Sequence, residues 1–317
     1  MRKLIENVPI PTAGLALGLA ALGNLLQPYA EAVHVACGLL SCLFLVLLIA
    51  KALLFAQLIR EDLKNSIFAS VSATFFMTLM NLATYIEPVF HVPAFALWAA
   101  AIAGHLALMA WFTLRFIAHF KLKDVFPTYF ICYVGIIVAS VTAPVFGAQV
   151  AGIALFWFGF ACFALLLVVV TVRCIRHEIP ESARPLLCIY SAPMSLSLAG
   201  YLSSSASPSA VFAIVLLVLA QALFLIVVAQ VPKLVRLRFY PSFAAMTFPF
   251  VITATALSKT LAFLRGAGFA LPAALDVLAL VETAFACAMV LFVCYHYLHF
   301  FFEQIRTRTA ALDGGRA

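Results

Sequence analysis

The residues of this chain that could do chemistry are thinly spread and poorly matched to one another. Its eight cysteines, at 37, 42, 132, 162, 174, 188, 287 and 294, lie within or at the ends of apolar stretches, and none forms a C-x-x-C pair. That pattern suits small buried hydrophobes better than a metal or disulfide set. A haem would need two facing histidines at matched depth, but His105 falls near the middle of an apolar run while His296 and His299 fall near the end of another. Interfacial or hydrogen-bonded histidine is the favoured reading. Lys51 and Glu282 are the most deeply placed ionisable residues, and charges inside apolar segments are costly and usually paired. A mutual pair would require the first and last parts of the chain to be neighbours, and snorkelling of Lys51 to the inner surface is preferred. No nucleophile–base–acid set, phosphate loop or nucleotide-binding segment is present. The expectation is therefore no catalysis, no ATP hydrolysis, no metal and no cofactor.

What must position these residues is membrane-spanning helix. Hydrophobic residues make up 66% of the 317 and charged ones only 10%, against about 25% charged in a soluble domain. Apolar runs of twenty or more, as a hydrocarbon core of about 30 Å demands, include charge-free Val150 to Val172 and Ser209 to Pro232. Reading runs between breaks predicts ten spans near 11–27, 32–59, 67–86, 94–120, 128–146, 150–174, 186–203, 209–231, 242–264 and 270–302. One membrane domain over 1–303 and a short cytoplasmic tail over 304–317 are expected. No removable leader is expected either, because Met1-Arg2-Lys3 is followed by Glu6, Pro9 and Pro11 before any apolar run.

The connectors alternate in charge. Those after even spans carry Arg60 and Lys64, then Lys121 and Lys123, then Arg176 and Arg184, then Lys233, Arg236 and Arg238. The tails add Arg2, Lys3, Arg306, Arg308 and Arg316, whereas Arg265 is the exception among the odd connectors. Lys and Arg concentrate on the cytoplasmic side, which predicts cytoplasmic N and C termini in a multi-pass cell-membrane protein. The same asymmetry accounts for the net charge of +7 without any nucleic-acid partner.

The odd spans open alike, at Pro11-Thr12, Asn65-Ser66, Pro127-Thr128, Pro185-Leu186 and Pro241-Ser242. Steps of 54, 62, 58 and 56 residues separate the second positions, which predicts five tandem helical hairpins. Hydroxyls divide the hairpins: span three alone carries Ser70, Ser72, Thr74, Thr78 and Thr84, while span four has only Thr113. Spans five, seven and nine are similarly rich, and span one carries Gly instead. Lipid favours uninterrupted apolar surface, whereas hydroxyls, Gly and Pro are tolerated against protein or a watery cavity. The expected fold is therefore all-α, with an inner ring of five odd helices around a pore and an outer ring of five even ones. Pro144, Pro193 and Pro249 fall only in odd spans and should bend them.

Two segments resemble a known family. Pro9-Ile10-Pro11-Thr12-Ala13-Gly14-Leu15-Ala16-Leu17-Gly18-Leu19-Ala20-Ala21-Leu22-Gly23-Asn24 and Tyr240-Pro241-Ser242-Phe243-Ala244-Ala245-Met246-Thr247-Phe248-Pro249-Phe250 are similar to the tellurite-resistance/dicarboxylate transporter family. Bacterial TehA proteins, fungal malate permeases and the slow anion channels of plant guard cells belong to it. The resemblance implies a homotrimer with one pore per subunit, occluded by Phe248, and transport of small inorganic or organic anions across the bilayer. Family members differ in substrate, so the resemblance narrows function to anion movement.

The repeat bears on Phe248 independently. Its offset of six from Ser242 reaches Gly18, Ser72, Val134 and Ala192 in the other odd spans, so one large ring would meet four small or slim residues at one depth. At 100° per residue, Ile252, Thr255 and Lys259 return to the face of Phe248, with Lys259 about 16 Å beyond it. A lysine there would concentrate anions at an outer mouth; snorkelling to the outer interface is the alternative. Phe243 and Phe250 lie about 140° and 160° away and should pack. The pore-lining candidates are thus Gly14, Gly18, Ser72, Val134, Ala192, Thr255 and Lys259. A passive anion channel is the expected function, with a secondary carrier of dicarboxylates or oxyanions such as tellurite as the alternative, and an electron carrier as a third class.

Overall fold

A peptide group facing hydrocarbon has no water to bond, so its N–H and C=O must pair within the segment. The chain meets that demand with helices. The computed structural model describes residues 2–313, with side chains as far as 306, and no strand occurs among the described residues. We label ten segments: α1 Thr12–Leu26, α2 Glu31–Leu54, α3 Ser66–Ile86, α4 His91–Ile117, α5 Thr128–Phe146, α6 Gln149–Arg176, α7 Glu181–Ser204, α8 Ala210–Leu234, α9 Pro241–Gly266 and α10 Ala274–Arg306. Eight are long and apolar enough to cross a membrane, and α5, bent by 50°, makes a ninth. The remaining segment, α1, has 15 residues, about 22 Å at 1.5 Å per residue.

Burial separates the segments. In their most apolar stretches, 61%, 78% and 72% of residues are buried in α3, α7 and α9, against 22–39% in α2, α4, α6, α8 and α10. α1 is buried along nearly its whole length. α1 packs on α3, α3 on α5, α5 on α7, α7 on α9, and α9 back on α1, while each even helix lies against the odd helices beside it.

The hydroxyls of the odd helices act largely as fasteners. Ser70 Oγ bonds Thr128 Oγ1 at 2.7 Å, Thr78 Oγ1 donates to the Ala13 carbonyl at 3.2 Å, and Ser195 Oγ meets Thr253 Oγ1 at 3.0 Å. Ser140 Oγ donates to Gly152 O at 2.6 Å. All of these hydroxyls are buried. Other hydroxyls of the odd helices, Thr74, Thr84, Thr142 and Thr255, stand on cavity walls. In a medium that supplies no partners, a hydroxyl is best satisfied against its own turn or the adjacent helix.

Breaks occur where the backbone cannot continue. In α5 the bend falls between Val134 and Ile137, where the Gly135 N–H is shared by the carbonyls of Phe130 and Ile131 at 3.2 Å each. A Cβ at Gly135 would stand 2.6 Å from Met77 Sδ, so the bend needs glycine. Pro144, expected to bend this helix, instead sits in the 3-10 turn Ala143–Phe146 that ends it. It has no helix beyond it to bend. Pro193 and Pro249 stand in the first turns of α-helical stretches that follow 3-10 segments Glu181–Ser191 and Pro241–Met246. Proline lacks the N–H and clashes with the preceding turn, so each marks a change of helix type.

Two boundaries differ from expectation. The second span, expected to reach 59, ends at Leu54, and a short helix Ala56–Asp62 follows. The break at Phe55 brings Asp62 Oδ2 to 3.2 Å from Lys51 Nζ. Lys51 is therefore paired locally, neither with Glu282 nor by snorkelling alone. Glu282 is 2% exposed and its carboxylate oxygens have no hydrogen-bond partner among the described residues. The last helix runs on to Asp313, so no helix end marks the boundary expected at 303. Residues 314–317 of the expected tail, with Arg316, lie outside the described residues.

Candidate functional site

Two cavities lie end to end among the odd helices. The first begins at the end of the bundle that carries the basic connectors, beside Pro11 and Ser242, and holds about 50 Å³. Gly14 and Leu17 of α1, Val71, Thr74 and Met77 of α3, Val134 of α5, and Ala192 and Leu196 of α7 line it, with Phe248 of α9. No ionisable residue is on its wall. The second holds about 390 Å³ and is much more polar: Asn24, Asn81, Thr84, Glu87, Thr142, Thr255 and Lys259 share its wall with Ile252. Only Phe248 and Leu196 line both cavities. Every odd helix contributes to each.

The position of Phe248 follows from its neighbours in sequence. Thr247 has a non-helical backbone (φ −113°, ψ −85°) between the 3-10 segment and the α-helical part of α9. Its Oγ1 donates to Gly14 O at 3.2 Å and Ala244 O at 2.7 Å, tying the residue just before the α-helix to α1. Gly18 permits the approach. A Cβ there would stand 2.5 Å from Thr247 Cβ and 3.2 Å from the Phe248 nitrogen. Gly18→Ala should therefore displace the start of the helix and lower stability by about 1–3 kcal/mol, as overpacking does. Thermal unfolding of the purified variant checks this, and a transition unchanged from the parent would show that the contact has slack.

The three nearby phenylalanines divide sharply by environment. Phe243 is fully buried against Phe239, Phe292 and His296, at 5.6, 6.0 and 5.7 Å between ring centroids. Phe250 packs on Phe224 and Phe285 at 6.1 and 5.0 Å. Phe248, 7% exposed, instead faces the two cavities. From Phe248 onward α9 is regular α-helix, so Ile252, Thr255 and Lys259 follow on one face and line the second cavity together.

The second cavity has one cation and one carboxylate on its wall, Lys259 and Glu87. Lys259 is exposed, and Glu87 Oε1 lies 2.9 Å from His91 Nδ1. Asn24 Nδ2 donates to Asn81 Oδ1 and Thr84 Oγ1, both at 3.3 Å.

Of the other candidates, Gly14, Val134 and Ala192 line the first cavity and Thr255 and Lys259 the second. Ser72 does not line either; its Oγ donates to Ala69 O at 2.6 Å. The α-helix is interrupted between Val71 and Ala73, and Val71 and Thr74 line the wall on either side of Ser72. Gly18 is a contact point rather than a lining residue. Leu196 was missed, although it lies one turn beyond Ala192 on the same face. Asn81, an amide among the hydroxyls of α3, also stands on the wall of the second cavity. The histidines are engaged elsewhere: His105 Nε2 is 2.8 Å from Cys132 O, and His296 stacks on Phe239. The cysteines are free thiols, and no three His, Cys, Asp or Glu side chains converge among the described residues.

These features define an all-α, multi-pass membrane protein with cavities enclosed by its most buried helices. The chain belongs to the SLAC1 family, described as voltage-dependent anion channels, which matches residues 7–298. This is the family that the two motifs resemble, and its members are anion channels or transporters rather than enzymes. No curated protein matches the chain.

Proposed function

We propose that the chain is an anion-selective channel whose ten helices form five hairpins, with the odd helices ringed around one pore and Phe248 closing it. The observation that carries this reading is the pair of adjoining cavities, walled by all five odd helices and sharing only Phe248 and Leu196. α1, short for a span, is sheltered from lipid by its neighbours, so it need not match the bilayer thickness. Basic connectors put both termini in the cytoplasm of a cell-membrane protein, and the resemblance supports a homotrimer with a pore in each subunit. Lys259 would raise anion concentration at the outer mouth.

Channel is favoured over carrier because the ionisable wall residues, Glu87 and Lys259, stand only in the second cavity and none lies in the first or beside Phe248 and Leu196, whereas a proton-coupled carrier normally needs one deep on its path. Purified protein in planar bilayers, under chloride, nitrate and malate gradients, should show reversal potentials that follow the anion. Flux that saturates, or that follows a proton gradient, would instead assign a carrier of dicarboxylates or oxyanions.

The orientation has its own test. A reporter fused after Arg236 should be cytoplasmic, and one inserted at Ser205, in the turn between α7 and α8, should be external. Both on one side would end the ten-span reading. Chemical cross-linking in membranes should yield species up to three subunits and no further.

A further inference from the structure

A third cavity lies away from the two already described, at the basic end of the outer surface between α6 and α8. It holds about 670 Å³ and is lined by Arg176, His177, Arg184 and Lys233, with Glu178 as its single carboxylate. Three permanent cations thus face one anion. At this end of the bundle Lys51 pairs with Asp62, Lys64 with Glu61 and Arg238 with Glu181. Arg176, Arg184 and Lys233 make no ion pair or side-chain hydrogen bond among the described residues.

The cavity continues into an apolar groove of about 300 Å³, with which it shares Cys174, Ile175, Leu187, Gln230 and Leu234. The groove climbs along α8 as far as Leu223 and is floored by α7 at Cys188 and Tyr190. From Lys233 to Leu223 is about 15 Å of helix at 1.5 Å per residue, half of a hydrocarbon core of about 30 Å. The combination is a cationic chamber at the interface opening onto an apolar channel one leaflet deep.

We propose that this chamber and groove bind an anionic phospholipid, with the headgroup phosphate among Arg176, Arg184 and Lys233 and an acyl chain along α8. Guanidinium groups suit phosphate through paired N–H donors, and basic pockets between spanning helices hold anionic headgroups in this way. The inference rests on the membrane-spanning helices and not on the permeation path, so failure of either leaves the other standing.

The test is native mass spectrometry of the full-length protein in detergent, offered phosphatidylglycerol and phosphatidylcholine of equal chain length. Phosphatidylglycerol should be retained about 30-fold more strongly, given about fivefold for each of two uncompensated cations. The combined Arg176→Ala, Arg184→Ala and Lys233→Ala variant should retain both lipids equally, whereas Arg176→Lys with Arg184→Lys should keep most of the preference. Ile226→Trp, which fills the groove from an exposed position, should weaken retention of phosphatidylglycerol even if the triple variant does not fold. Equal retention of the two lipids by the parent chain overturns the proposal. So does displacement of phosphatidylglycerol by millimolar inorganic phosphate, which would make the site one for a free phosphoanion. Efficient cross-linking between copies through Ile226→Cys would show the groove covered by a second subunit, with the same consequence.

Discussion

Phe248→Ala should raise the steady anion current well above that of the parent chain, without unfolding the protein. The ring stands with Leu196 between two formed cavities, so truncation joins them rather than hollowing a core. An anion crossing that septum must shed water beside apolar side chains, and lowering its barrier by about 3 kcal/mol raises the rate roughly a hundredfold. A phenylalanine that only packs behaves differently. Its truncation costs about 3–5 kcal/mol of stability and opens nothing. Phe250→Ala supplies that comparison, since Phe250 is buried against Phe224 and Phe285; it should lower thermal stability and leave current at the parent level. Leu196→Ala should raise current less than Phe248→Ala, because the larger ring remains. Current from Phe250→Ala with a silent Phe248→Ala would place the constriction on another face of α9 and remove the argument for Thr255 and Lys259 as well.

Lys259→Glu should depress inward-facing anion access, and the depression should grow as salt falls. Lys259 is the one cation on the wall of the second cavity, which also carries one carboxylate, Glu87. A unit charge at ~10 Å in water contributes about 0.4 kcal/mol, so reversal shifts local anion concentration by nearly fourfold. Screening sets the salt dependence: the Debye length is about 30 Å at 0.01 M and about 8 Å at 0.15 M. Lys259→Gln, which only removes the charge, should give about half the free-energy effect. Conductance measured against chloride concentration reads both variants directly. Identical curves at low ionic strength would mean that the ammonium group lies off the ion's route.

Some of this architecture was legible from local rules. Uninterrupted apolar runs and alternating basic connectors are consequences of the bilayer acting on each segment separately, and they recur at every hairpin. The face shared by Phe248, Ile252, Thr255 and Lys259 could be counted off at 100° per residue because α9 is regular from Phe248 to Gly266. The same arithmetic failed at Ser72, where α3 is interrupted. It also misplaced the bend of α5, which falls at Gly135 while Pro144 closes the helix end.

The sequence by itself determined membrane insertion, helix number to within one short segment, the basic end of the bundle, and the family through two motifs. Each depends on composition or spacing within one stretch of chain. Tertiary structure alone decided which hydroxyls were fasteners and which faced a cavity, that Lys51 would find Asp62 across a break at Phe55, and that Leu196 would share the septum with Phe248. Those outcomes turn on how far each helix is rotated and where its backbone breaks. Rotation is set by contacts with neighbours distant in sequence, such as Gly18 against Thr247, and no local periodicity encodes it.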